Sequence, residues 1–174
     1  MNDTFGDAVK AMRDQLAILQ AEQKTNLKEQ AKHPSFKLCI KTVHGGCPVV
    51  DSSNSYFYSE QYPLGPKISA IFELENTGNK DATNVKLRLM TEAEYTLDCE
   101  GSVEKTPKPV ESGRTIIEVN LGTIQVNDRK SVWCSASKPY TTDRVTFYLS
   151  AKADQSNSAA YFPSIVVASI RRGD

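Results

Sequence analysis

The sequence predicts a mainly β chain: one N-terminal α-helix over residues 1–33, followed by an antiparallel β-sandwich of seven to eight strands over residues 34–174. Two observations carry this prediction. Residues 1–33 contain no proline and one glycine, and their apolar positions recur at helical spacing. From Phe36 onward the apolar positions recur at every second residue, in short runs broken by turn-forming residues.

The helical part is read from Phe5, Val9, Met12, Leu16 and Leu19, spaced four, three, four and three residues apart. That spacing lays one stripe along a helix, close to the seam of a coiled coil. Thr4 followed by Asp7 reads as a capping box, which starts the helix near Phe5. The seam continues through Gln23, Asn26 and Gln30, all polar, with Leu27 off register. The stripe thus fades after about three turns into a polar stalk. His33-Pro34 ends the helix, because the residue before proline is pushed out of the α region.

The strands follow in order. Phe36, Leu38 and Ile40 share one face of the first run, and Ile68, Ala70, Phe72 and Leu74 one face of the next. Val85, Leu87 and Leu89 form a third set, Ile117, Val119 and Leu121 a fourth, and Val132, Cys134 and Ala136 a fifth. Val145, Phe147, Leu149 and Ala151 alternate with Thr146, Tyr148, Ser150 and Lys152. Period two in run after run means strands with one buried face. The segment from Ser164 to Ile170 is more uniformly apolar than the alternating runs and reads as an inner strand. Turn chemistry sits between the runs, at Thr77-Gly78-Asn79, Glu100-Gly101-Ser102, Glu111-Ser112-Gly113, Val126-Asn127-Asp128 and Asp154 to Ser158. Uneven loop lengths favour a two-sheet sandwich of immunoglobulin-like type over an up-and-down barrel.

The stretch Ile68–Leu89, ISAIFELENTGNKDATNVKLRL, resembles the CARDB-type immunoglobulin-like domains of bacterial and archaeal surface proteins. The resemblance rests on Asn76-Thr77-Gly78 closing a strand, Ala82 and Asn84-Val85 opening the next, and the later Leu121-Gly122-Thr123-Ile124 followed by Asn127-Asp128. It spans roughly residues 67–150. It implies an immunoglobulin-like fold and, by analogy, a role in adhesion or assembly.

Lys+Arg and Asp+Glu both total 21, so the formal charge is zero. A nucleic-acid binder needs a basic surplus to displace counterions from phosphates, and so does electrostatic capture by an anionic membrane. No segment reaches the roughly 18 consecutive apolar residues that span a bilayer. The N-terminal residues have neither a basic n-region nor an apolar h-region, which predicts synthesis and retention in the cytoplasm, with a virion as one final location.

For Cys39, Cys47, Cys99 and Cys134 that location predicts free thiols, some buried as small apolar side chains. A Cys39–Cys47 disulfide closing a loop is the first alternative. A zinc site built on Cys39, His44 and Cys47 is the second, and would need a fourth ligand from Cys99 or Cys134. A nucleophilic Cys47 would need His44 or His33 as base, together with an orienting partner and an oxyanion hole. Neither histidine has one in sequence. No glycine-rich phosphate loop is present. The expectation is therefore a chain without catalytic residues, cofactor or metal, and without a small-molecule substrate. Trp133 is expected to cover one sheet.

Two sets of residues stand out as partner-binding. The first is the helix stripe, Phe5, Val9, Met12, Leu16 and Leu19. Such short amphipathic helices are marginal alone and need a surface to bury against. The second is Tyr56, Tyr58 and Tyr62 in SYFYSEQYPLGP, which reads equally as a contact surface and as an edge strand. The function these features predict is a non-catalytic accessory or assembly protein. Its helix anchors it in a larger complex, by a protein partner or by homo-oligomerisation, and its sandwich is displayed, as in a phage virion accessory or capsid decoration protein. A cytoplasmic or membrane-associated bacterial adaptor that self-associates through the helix is the alternative. A thiol- or zinc-dependent enzyme comes third.

Overall fold

The computed structural model of the chain describes residues 3–30, 32–41, 46–59, 67–100, 106–111, 113–139 and 143–169. Two compact units divide the chain, Met1–His33 and Pro34–Asp174. The first holds helix α1, Asp3–Gln30. It starts before Thr4, so Thr4 lies inside the first turn and is not a cap preceding it. It ends at Gln30, short of His33. Helix ends shift by a residue or two with frayed hydrogen bonding.

The second unit is a two-sheet β-sandwich. Its strands among the described residues are β1 (Phe36–Lys41), β2 (Tyr56–Ser59), β3 (Lys67–Asn76), β4 (Ala82–Glu92), β5 (Thr96–Glu100), β6 (Thr106–Glu111), β7 (Arg114–Ile124), β8 (Arg129–Ser137), β9 (Arg144–Lys152), β10 (Ala160–Tyr161) and β11 (Ile165–Ser169). One sheet has the order β1-β3-β8-β5. The other has the order β2-β11-β9-β4-β7-β6, with β10 beside β9. The fold is the immunoglobulin-like sandwich that the alternation predicts. The seven longer apolar runs form β1, β3, β4, β7, β8, β9 and β11. The additional strands β2, β5, β6 and β10 are short and take their place from neighbours, not from their own pattern.

Among the described residues, every strand pairing but one is antiparallel. Strand β2 runs parallel to β11, with Tyr56 opposite Val166 and Tyr58 opposite Ala168. The chain thus leaves the four-stranded sheet after β1 and lies down at the far edge of the other sheet, beside the last strand. The more uniformly apolar β11 is indeed an inner strand, held between β2 and β9.

Alternate residues of the long strands enter the core, most regularly along β3, with local breaks in β4, β7, β8 and β9. Phe72 from β3 and Phe147 from β9, both fully buried, meet edge to face at 5.3 Å between ring centroids and join the two sheets. Ile68, Leu74, Leu87, Leu89, Val119, Val132 and Ile165 complete the layer around them. Trp133, on the outer parity of β8, is half-buried under the Lys67 ammonium, 4.8 Å from the ring centroid.

The Asn76-Thr77-Gly78 turn is held by one side chain. Asn76 is fully buried, and its amide Nδ2 donates to the Lys80 carbonyl at 2.9 Å and the Ile124 carbonyl at 3.1 Å. Its Oδ1 accepts from the Gly78 N–H at 3.1 Å. The Asn76 carbonyl accepts from the Asn127 N–H at 2.8 Å, and its N–H donates to the Asp128 carbonyl. Asn76 therefore ties the β3–β4 turn to the β7–β8 turn, where Asn127 sits in the left-handed region at φ 62°. Asn76→Ala leaves three backbone groups without this partner, and each such loss costs about 1–3 kcal/mol when buried. We expect a total of about 3 kcal/mol, read as a lower urea midpoint at unchanged slope. Asn76→Asp does not rescue it, because a carboxylate has no N–H for the two carbonyls.

Candidate functional site

The helix stripe is open along the described side chains. Residues 6–28 of α1 are all exposed, including Met12, Leu16 and Leu19 at 71%, 58% and 57%; Val9 is the least exposed of the stripe. Phe5 belongs to α1, but its side chain lies outside the described residues. Leu27 is exposed as well and follows Val9 by eighteen residues, five whole turns at 3.6 residues per turn. On this uniform helix Leu27 therefore rejoins the flank of the stripe, although a strict heptad reading sets it off register. Ile18 is exposed on the opposite face.

The second surface is the outer face of the larger sheet. Tyr56 and Tyr58 flank the buried Phe57 on β2, so both point outward. Their rings pack edge to face at 5.4 Å. The strand is positioned by the turn that precedes it. The Asp51 carboxylate accepts from the Ser53 hydroxyl at 2.6 Å and from the Ser53 and Asn54 N–H groups at 2.8 Å each. These bonds, the Ser53 hydroxyl foremost, hold the Asp51 carboxyl below its usual range. The Val166 N–H then donates to the Ser55 carbonyl and locks β2 beside β11. Tyr62 lies outside the described residues. Two further tyrosines on this face are not among those the sequence singles out. Tyr148 carries the Arg114 guanidinium 3.9 Å above its ring, and Tyr161 on β10 stands highly exposed opposite Ser150. The parity of β9 already turns Tyr148 outward; nothing in the sequence marks β10.

The cysteines overturn the expectation of free thiols. Cys39 bonds to Cys47 and Cys99 to Cys134, with Cα separations of 5.3 and 4.1 Å, and no free cysteine remains. The second pair is a directly opposed cross-strand pair of β5 and β8, turned into the core. Its partners lie far apart in sequence and meet only because β5 forms, which the sequence does not signal. In the first pair Cys39 lies on the outer parity of β1, opposite Glu73 on β3. The Cys39 and Cys47 sulfurs and a Glu73 oxygen gather within 4.8 Å. Zinc binds thiolates, and a disulfide has none to offer. The Glu73 carboxylate is also engaged, by Arg129 Nη1 at 3.2 Å and the Ser131 hydroxyl at 3.1 Å. The zinc and nucleophilic-thiol readings lose their sulfur in this state; His44 lies outside the described residues. No described helix is long and apolar enough to cross a membrane.

The class these features define is an immunoglobulin-like β-sandwich chain with an N-terminal amphipathic helix. No protein-family model and no curated protein matches the chain. Solved structures match at low identity. The CBM3 module of Hungateiclostridium clariflavum is 14% identical with a TM-score of 0.44, covering 74% of this chain and 97% of its own. A cohesin module from a Clostridium perfringens family 33 glycoside hydrolase is 16% identical with a TM-score of 0.43, covering 79% and 100%. The carbohydrate-binding module CBM3b of a Clostridium thermocellum cellobiohydrolase is 10% identical with a TM-score of 0.44, covering 73% and 95%. At these values the likenesses carry no functional argument. None of the three is a CARDB-type domain.

Proposed function

We propose that the chain is a non-catalytic accessory protein of a larger assembly, joined to it through α1 and displaying the sandwich. The observation that carries this reading is the exposed stripe of Val9, Met12, Leu16 and Leu19. Single apolar side chains scattered on a surface are ordinary, but four on one face at seam spacing are a surface built to be covered. The tyrosine-bearing face around Tyr56 and Tyr58 is the displayed contact, since tyrosine combines a large apolar body with a polar tip.

A virion accessory or capsid decoration protein is the concrete form we favour. Both disulfides support it, because disulfides persist at virion and cell surfaces and are rare in the reducing cytoplasm. The test is a comparison of the full chain with the fragment Pro34–Asp174. The fragment is expected to unfold cooperatively and to sediment as a monomer, while the full chain enters a larger species. A fragment that assembles as well as the full chain refutes the reading.

A further inference from the structure

We infer that the seam of α1 pairs with the same seam of a second copy of this chain, parallel and in register; the inference rests on α1 being the assembly element. The amides that continue the stripe decide the occupant. Val9, Met12, Leu16 and Leu19 are followed, at the same three-and-four spacing, by Gln23 and Asn26, both exposed. Leu27 flanks them on the next turn. A partner that follows the seam past Leu19 to Leu27 also covers these amides.

An apolar groove in an unrelated protein would bury the two amides without partners, which is costly. A second copy of the seam answers them. A carboxamide carries both donors and an acceptor and is therefore its own complement. In a parallel, in-register pair Gln23 meets Gln23 and Asn26 meets Asn26 across a two-fold axis, as an isologous interface requires. In an antiparallel pair overlapping from Val9 to Asn26, the same side chains face the apolar half: Gln23 falls opposite Met12, and Asn26 opposite Val9. That arrangement loses apolar burial at one end and strands an amide at the other. Polar residues in a coiled-coil seam select register and orientation in this way, at a cost in stability. Asp7, Asp14 and Lys28 are exposed on the opposite face, and Arg13 and Glu22 flank the seam on its two sides, nine residues apart along α1, so neither orientation brings charge against charge and the choice is left to the amides.

The test uses the full chain and two single variants, Asn26→Lys and Asn26→Glu. Sedimentation of the wild type is expected to show a dimer. Each variant alone places like charges at one layer and is expected to associate at least about tenfold more weakly. An equimolar mixture of the two is expected to recover that loss. Only the parallel register sets the lysine introduced in one chain against the glutamate introduced in the other. Circular dichroism keeps the comparison valid if helix and sandwich signals match the wild type. Variants that dimerise as tightly alone as mixed, or a mixture that shows no recovery, overturn the parallel register. A wild type that stays monomeric alone, yet loses its place in the native particle on changing Leu16 and Leu19, overturns the self-pairing and leaves the assembly role intact. A wild type with neither behaviour overturns both.

Discussion

Changing Leu16 and Leu19 together to aspartate is expected to abolish assembly while leaving the thermal transition of the sandwich in place. Burying a leucine side chain contributes roughly 1.5–3 kcal/mol, so truncating two such contacts removes about 3–6 kcal/mol. Each tenfold change in association corresponds to about 1.4 kcal/mol, so the loss amounts to about two to four orders of magnitude. The carboxylates add their own desolvation cost in an apolar contact. Helix propensity is a minor matter by comparison, since aspartate costs a few tenths of a kcal/mol more than leucine. The control is Ile18→Asp, which puts the same charge on the opposite face of α1, where the side chain is equally exposed. Sedimentation and particle binding are expected to fail for the double variant and persist for Ile18→Asp. Equal loss in both would mean that the helix itself, not its stripe, is what the substitutions disturb. Unfolding of the sandwich by the double variant would make the stripe part of the domain core.

Removing the Cys99–Cys134 disulfide is expected to be the most damaging single cross-link loss. The bond joins residues 35 apart in sequence, against 8 for Cys39–Cys47. On the chain-entropy relation the longer closure is worth about 4 kcal/mol and the shorter about 2.5 kcal/mol. For a domain of this size each kcal/mol moves the melting temperature by about 3–4 °C, so a Cys99→Ala, Cys134→Ala variant should melt about 10–15 °C lower. Cys99 and Cys134 are buried at 1% and 0% exposure, against 8% for Cys39 and a half-buried Cys47, and so add the larger packing loss. Calorimetry of the two double-alanine variants under oxidising conditions decides the order. A larger drop for the Cys39 and Cys47 pair would refute it.

How much of this is legible in the sequence depends on which interaction fixes each element. Strands β3, β4, β7, β8 and β9 announce themselves because one face of each is buried, and burial at every second position writes itself into the residues. The turn at Asn76-Thr77-Gly78 is legible as a turn, yet the buried amide that ties it to Ile124 is not, since that bond links residues far apart in sequence. Strand β5 is short, and the sequence around Cys99 shows no long alternation, so the partner of Cys134 stays hidden and the thiols read as free. For the two exposed surfaces the division is similar. The stripe on α1 is a local pattern, legible at Val9, Met12, Leu16 and Leu19, while the place of Leu27 depends on the true helical pitch. Tyr56 and Tyr58 stand out in a cluster, while Tyr161 acquires its exposure from a two-residue strand that only the fold defines.

The parallel pairing of β2 with β11 bears on how the protein is made. A ribosome emits β2 well before β11, so the strand that carries Tyr56 and Tyr58 has no β11 ladder to join until residues 165–169 have emerged. Contacts between distant parts of a chain close slowly, and a strand edge left open meanwhile invites pairing with other chains. A nascent chain stalled or clipped before Ile165 would lose more than β11. Phe57 would lose its neighbour in the core, and the tyrosine face would never be assembled. The tyrosine face is thus completed only in chains translated through β11, which makes synthesis to that point a built-in requirement for forming it.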